Sequence, residues 1–239
     1  MQKKLIFILT IIVIIISFLM FGKSIYTPTI NKMRGKETVN SRVTHIEDKV
    51  WNRLKVNLGL AGYKMDYPKQ IIIAAFKEEQ KLQVYAKDIN GIKFIKEYPF
   101  TAFSGELGPK LKEGDKQIPE GIYDVEYLNP NSSYYLSIKV NYPNEFDKSK
   151  STLSNPKNMG GDIFIHGKSV TIGCIPIGDE AIEELFVLTK KAINNKVKVI
   201  ISPKDFRNNK EYPQINSIDW EKELYDKIKN ELNILPKIY

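Results

Sequence analysis

The chain has 239 residues, a formal net charge of +8, two histidines and a single cysteine. That length suits one domain of moderate size with appendages, and the lone cysteine excludes an internal disulfide. No arginine-rich tract, zinc-ligand spacing or basic–aromatic motif points to nucleic acid, so the basic excess reads as a solvated Lys surface or as attraction to anionic wall polymers or lipid headgroups.

Leu5 to Gly22 is apolar except for Thr10 and Ser17, and Lys3 and Lys4 precede it. At roughly 1.5 Å per residue it is just long enough to span a bilayer core. It has no small-x-small cleavage site after it and no lipoprotein cysteine, so residues 1–22 are read as a signal anchor rather than a cleaved leader. The rest of the chain is then expected outside the cytoplasm. Residues 23–69 are read as a stalk, to about residue 43, and a leading helix. Thr44 and Glu47 have capping-box spacing, Ile46, Val50, Leu54 and Leu58 mark one helical face, and Gly59 and Gly62 end it. His45 is expected to be exposed, with no chemistry.

From Gln70 the pattern turns to β. Ile71–Phe76 reads as a buried strand, and Asn90-Gly91 as the turn between a strand at Lys81–Ala86 and one at Ile92–Tyr98. Phe100–Ser104 is expected to continue that sheet. Residues 105–121 form a long loop in which Lys110, Lys112 and Lys116 either bind a substrate carboxylate or are merely solvated. Gly121–Tyr127 and Tyr134–Val140 are the next strands, turned by Asn129 to Ser132, with Tyr123, Tyr127, Tyr134 and Tyr135 expected in core or cross-strand packing. Residues 144–158 read as a mobile loop. A helix capped by Asp179 runs to about Asn194, Val197–Ile201 is the closing strand, and Trp220, Leu224, Ile228 and Leu232 mark a final amphipathic helix.

Between these elements lies Gly160 to Ile177, which holds the only cysteine and one of the two histidines. Asp162–His166 reads as a short strand delivering His166 at its end, and Val170–Ile172 as a returning β segment. An antiparallel pair would bring His166 within reach of Cys174, whose thiol needs a neighbouring base to become a good nucleophile at neutral pH. Gly173 frees the backbone for close approach, and the N–H groups of Gly173 and Cys174 are candidates for an oxyanion hole. A small buried hydrophobe is the alternative role for the cysteine.

Ile165-His166-Gly167 followed by Thr171-Ile172-Gly173-Cys174 resembles the signature of the YkuD-type L,D-transpeptidase catalytic domain, most of all its YafK-type branch. Gly108-Pro109-Lys110, Glu113-Gly114-Asp115 and Pro119-Glu120-Gly121-Ile122-Tyr123 resemble that family's upstream run. Leu128 to Ser132 and Asn141 to Asn144 also fit, so the resemblance spans about residues 70–200. The better-known pattern has a histidine before Gly-Cys and an arginine shortly after; here Ile172 and Pro176 stand nearby instead.

The resemblance implies an α+β fold, with a mostly antiparallel, β-rich catalytic domain over residues 70–202, flanking helices, and a C-terminal helical extension over 203–239. It implies that Cys174 attacks a peptidoglycan stem-peptide carbonyl to form a thioester, with His166 as base and the Gly167 carbonyl orienting His166. Tyr142 and Thr171 join Lys110 as expected substrate-binding residues. No metal or organic cofactor is needed. Transfer to an amine gives cross-linking or attachment of a wall protein, and transfer to water gives an amidase or carboxypeptidase. A non-catalytic, membrane-anchored wall-binding protein is the rival class.

Overall fold

Ile71–Phe76 (β1) is apolar at every position because both faces of this strand are covered. In the computed structural model, which describes residues 35–152, 155–208, 211–216 and 218–238, Ile71, Ile73 and Ala75 pack in one core with Leu54, Leu58, Leu185 and Leu188. Ile72, Ala74 and Phe76 pack in a second core with Leu224, Ile228 and Leu232. The expected membrane anchor at residues 1–22 lies outside the described residues. Among those residues no helix is long and apolar enough to cross a membrane.

The compact unit begins at Val39. It carries an eight-stranded sheet in the order β3-β2-β1-β8-β4-β5-β6-β7. The remaining strands are β2 (Lys81–Asp88), β3 (Gly91–Pro99), β4 (Gly121–Ser132), β5 (Tyr135–Val140), β6 (Phe164–His166), β7 (Ile175–Pro176) and β8 (Lys198–Ser202). Pairing is antiparallel except at β1–β8 and β6–β7, so the expected mixed α+β, mostly antiparallel class is observed. Helix α1 (Val39–Leu60) and α3 (Asp179–Ala192) lie over one face, and α4 (Glu221–Asn233) over the other. A short helix α2 (Glu145–Lys150) precedes a 3-10 turn at Pro156–Met159.

Several boundaries differ from the sequence reading, each for a local reason. Helix α1 starts at Val39, inside the expected stalk; the Thr44 hydroxyl donates to Asn40 O within the helix and caps nothing. Asn129–Ser132 extends β4, and the turn falls at Ser133 and Tyr134. Phe100–Ser104 joins no strand; its Phe100 N–H bonds Gln80 O and its Thr101 N–H bonds Pro176 O, without forming a ladder. Part of the expected loop at 144–158 is α2, whose N-terminus Asn144 and Asp147 close as a reciprocal capping box. Gly178, not Asp179, stands at the N-cap of α3. The strand β8 closes nothing, for it lies between β1 and β4 in the middle of the sheet.

Candidate active site

The far end of the sheet, β5–β6–β7, carries the histidine and the cysteine. Here the structure departs from the expected antiparallel pair. Strands β6 and β7 run parallel, with Ile165 opposite Ile175 and His166 opposite Pro176. Ile165 and Ile175 are both fully buried in the core, so alternation turns His166 and Cys174 to the other side of the sheet. Residues Val170–Ile172 are not a strand but part of the turn that reverses the chain.

That turn is held by one hydroxyl. Thr171 Oγ1 accepts the N–H groups of Gly173 at 3.1 Å and Cys174 at 2.8 Å, and donates to Cys174 O at 2.7 Å. The two N–H groups expected to form the oxyanion hole are therefore committed to Thr171 in this state, and Thr171 acts on the backbone of the nucleophile. Gly173 is required: its φ is +129°, and a Cβ would stand 3.0 Å from the Gln117 carbonyl oxygen. Gly167 is required for space, since a Cβ there would meet the Asp179 carboxylate at 2.5 Å and Tyr134 O at 2.8 Å.

His166 is almost wholly buried, and its Nδ1 lies 2.6 Å from Gly167 O. A carbonyl can only accept, so Nδ1 carries the proton and Nε2 keeps a lone pair. The Tyr134 ring lies against the imidazole with centroids 4.5 Å apart and planes at 32°. Burial pulls the His166 pKa below its usual 6.5, with the Gly167 carbonyl opposing. Burial pushes the Cys174 thiol up, as does Asp162, against the Phe164 N–H, Lys139 and Lys110, which favour thiolate. The resting pair is thus a neutral thiol and a neutral imidazole. No hydrogen bond joins them: the Cys174 thiol faces Asp162 O instead, 3.6 Å away. Such a pair suits attack with concerted proton removal rather than a preformed ion pair.

Two expected substrate contacts are turned inward. Tyr142 is buried, and its hydroxyl donates to Lys110 O at 3.1 Å and reaches Met159 O at 3.5 Å. Lys110 is neither solvated nor free, since its ammonium bonds Lys112 O and Asp115. Burial raises the Asp115 pKa, but Lys110 and the N–H groups of Gln117, Lys112 and Leu111 outweigh it and hold the carboxyl below its usual range. This cluster shapes the 105–121 loop, which presents Gln117 O to Gly173. Sequence reasoning missed Tyr134, taken for packing, and Lys139, which a strand alternating around Leu136, Ile138 and Val140 makes look like a solvent-facing lysine. Among the described residues no group of His, Cys, Asp and Glu is arranged to hold a metal ion.

Comparison with known proteins fits this geometry. The family model for the YkuD L,D-transpeptidase catalytic domain matches residues 70–201, more than half of the chain. The chain belongs to this family. It is 34% identical over 125 residues to a protein of Escherichia coli K12 named "Putative L,D-transpeptidase YafK", covering 52% of this chain and 48% of that one. The chain thus spans about half the length of the curated relatives it matches. The crystal structure of the helical cell shape determining protein Pgp2 from Campylobacter jejuni superposes with a TM-score of 0.47 and 20% identity, over 74% of this chain and 76% of that one. L,D-transpeptidase 1 of Mycobacterium tuberculosis superposes with a TM-score of 0.32 and 12% identity, over 56% and 62%.

Proposed function

We propose that the chain is a cysteine acyl-transfer enzyme acting on peptidoglycan stem peptides, anchored in the membrane by residues 1–22 with its catalytic unit outside the cytoplasm. The observation that carries the chemistry is the fixed tautomer of His166, whose unprotonated Nε2 stands on the same sheet face as Cys174. Cys174 Sγ attacks the stem-peptide carbonyl as its proton passes to Nε2; the imidazolium then protonates the departing amine, leaving a thioester. The depressed pKa of His166 keeps it a base at neutral pH and helps it return the proton. Oxyanion stabilisation comes from the Gly173 and Cys174 N–H groups once the charged oxygen outcompetes the neutral Thr171 hydroxyl, because charge-assisted bonds are about twice as strong. Hydrolysis is the second reading, since the acyl acceptor is supplied by the partner substrate or by water and not by these residues.

The test is to incubate the full chain in detergent with tetrapeptide muropeptides and sacculi, with and without a free D-amino acid, beside Cys174→Ala, and to read products by mass spectrometry. Acceptor-bearing products that vanish in the variant are expected; shortened peptides alone mean a hydrolase, and no Cys174-dependent product rejects the enzyme reading. Because Cys174 is the only cysteine, a membrane-impermeant maleimide applied to intact spheroplasts should label the chain; labelling only after lysis rejects the proposed location.

A further inference from the structure

Lys139 stands opposite Phe164 in the β5–β6 pair, and the parallel β6–β7 register sets Cys174 beside Phe164 on its other side. Lys139 on β5 and Cys174, the residue just before β7, therefore flank the Phe164 position of β6, and Lys139 lies close enough to draw the Cys174 thiol toward thiolate. The Lys139 ammonium lies over the Phe164 ring, 5.1 Å from its centroid. Its side chain is only 10% exposed, yet its ion-pair partner, the Asp162 carboxylate, is 87% exposed. Asp162 also holds a left-handed backbone with φ of +56°, and its carbonyl oxygen is the one that receives the Cys174 thiol.

The imbalance has a consequence for what can bind. A buried ammonium cannot be left without an anion, because desolvating an unpaired charge is costly. An exposed carboxylate, already solvated, can leave at small cost when another carboxylate takes its place. Lys110 offers a contrast: its partner Asp115 is itself largely buried and further held by three backbone N–H groups, so no incoming anion can replace it. We infer that Lys139 is the anchor for a substrate carboxylate beside the nucleophile, with Asp162 holding its place until substrate arrives. For its natural ligand this rests on the acyl-transfer reading, but its first test does not.

That test compares the rates at which anionic iodoacetate and neutral iodoacetamide alkylate Cys174 in the full chain. The ratio cancels the thiolate fraction and reports the charge met by an incoming carboxylate. Lys139→Gln should lower the ratio about five- to tenfold, Lys139→Arg should largely restore it, and Asp162→Asn should raise it about threefold. Asn tolerates the left-handed backbone at residue 162, so a poorly folding Lys139→Gln leaves the Asp162 arm in force. A ratio that neither variant moves overturns the inference.

With tetrapeptide substrates, KM should rise in Lys139→Gln. Amidating either the terminal carboxylate or the one on the diamino-acid side chain should abolish that dependence, and the arm that does so identifies the source. Unchanged KM for both amidated peptides overturns the anchor. No turnover with any peptide, beside a Lys139-dependent alkylation ratio, rejects the acyl-transfer reading and keeps the anchor.

Discussion

Thr171 holds three backbone groups with one hydroxyl, and two of them flank the nucleophile. Valine has nearly the same shape and none of these bonds, so Thr171→Val would leave two N–H groups and one carbonyl unpaired in a partly buried turn. Each such orphan costs about 1–3 kcal/mol, more than freeing the N–H groups for an oxyanion could return. Thr171→Val is therefore expected to lower kcat by about tenfold or more with little change in KM, and to lower the melting temperature. Thr171→Ser should keep most of both. A rise in kcat in the valine variant would mean that the competition of Thr171 with the substrate oxygen outweighs its placing of Cys174.

One buried ion pair joins three parts of the molecule at the scale of its elements. Lys77, just past β1, lies 2.8 Å from Glu120 with both side chains fully buried. Its ammonium also bonds Gly108 O and Ile118 O in the 105–121 loop, while Glu120 accepts the Gly108 N–H and the Tyr225 hydroxyl of α4. Burial pulls the Lys77 pKa down and Glu120 opposes it, so the charged pair exists only while both partners are present. Lys77→Met should cost about 3–5 kcal/mol in urea unfolding, and the double variant with Glu120→Gln should recover most of it. Because this loop presents Gln117 O to Gly173, the single variant should also slow Cys174 alkylation; a stability loss under about 1 kcal/mol rejects the network as the loop's tether.

These elements also show how far the sequence carries. The four-residue spacing in α1 and the unbroken apolar run of β1 are strong periodic signals, and both elements form, β1 with the bounds read and α1 from Val39 rather than Thr44. Strands of three and two residues carry no period, so the parallel β6–β7 pairing was invisible, although the His and Cys it joins were plain from the motif. Lys110 and Tyr142 stood in the right segments, but a sequence does not say whether a loop lysine faces substrate or its own loop's aspartate.

At the scale of the whole molecule, stability should respond to pH through Asp147. This carboxyl lies in α2, accepts the Asn144 N–H at 2.9 Å and the Tyr123 hydroxyl at 3.2 Å, and is pushed by burial up to about 6. A folded pKa above the unfolded 3.8 means the group stabilises fully below pH 3.8, and that contribution is lost as pH rises through about 6. The gap of roughly two units bounds the loss at about 3 kcal/mol. Asp115 and Glu183 act in the opposite sense, since their pKa values are held low, but their contributions fade only below the ordinary carboxylate range. Between pH 5 and pH 7.5 His166 opposes Asp147, because its pKa is held below 6.5 and the unfolded chain takes up a proton that the folded one resists. The Asp147 contribution is therefore read as the difference between the protein and a variant that lacks this charge. Asp147→Asn can keep an acceptor for the Asn144 N–H and meet the Tyr123 oxygen with its amide, without the charge. Relative to that variant, the protein should lose urea resistance as pH rises between those two values. An equal pH response in both proteins would mean that Asp147 is hydrated when charged and that another group sets the pH dependence.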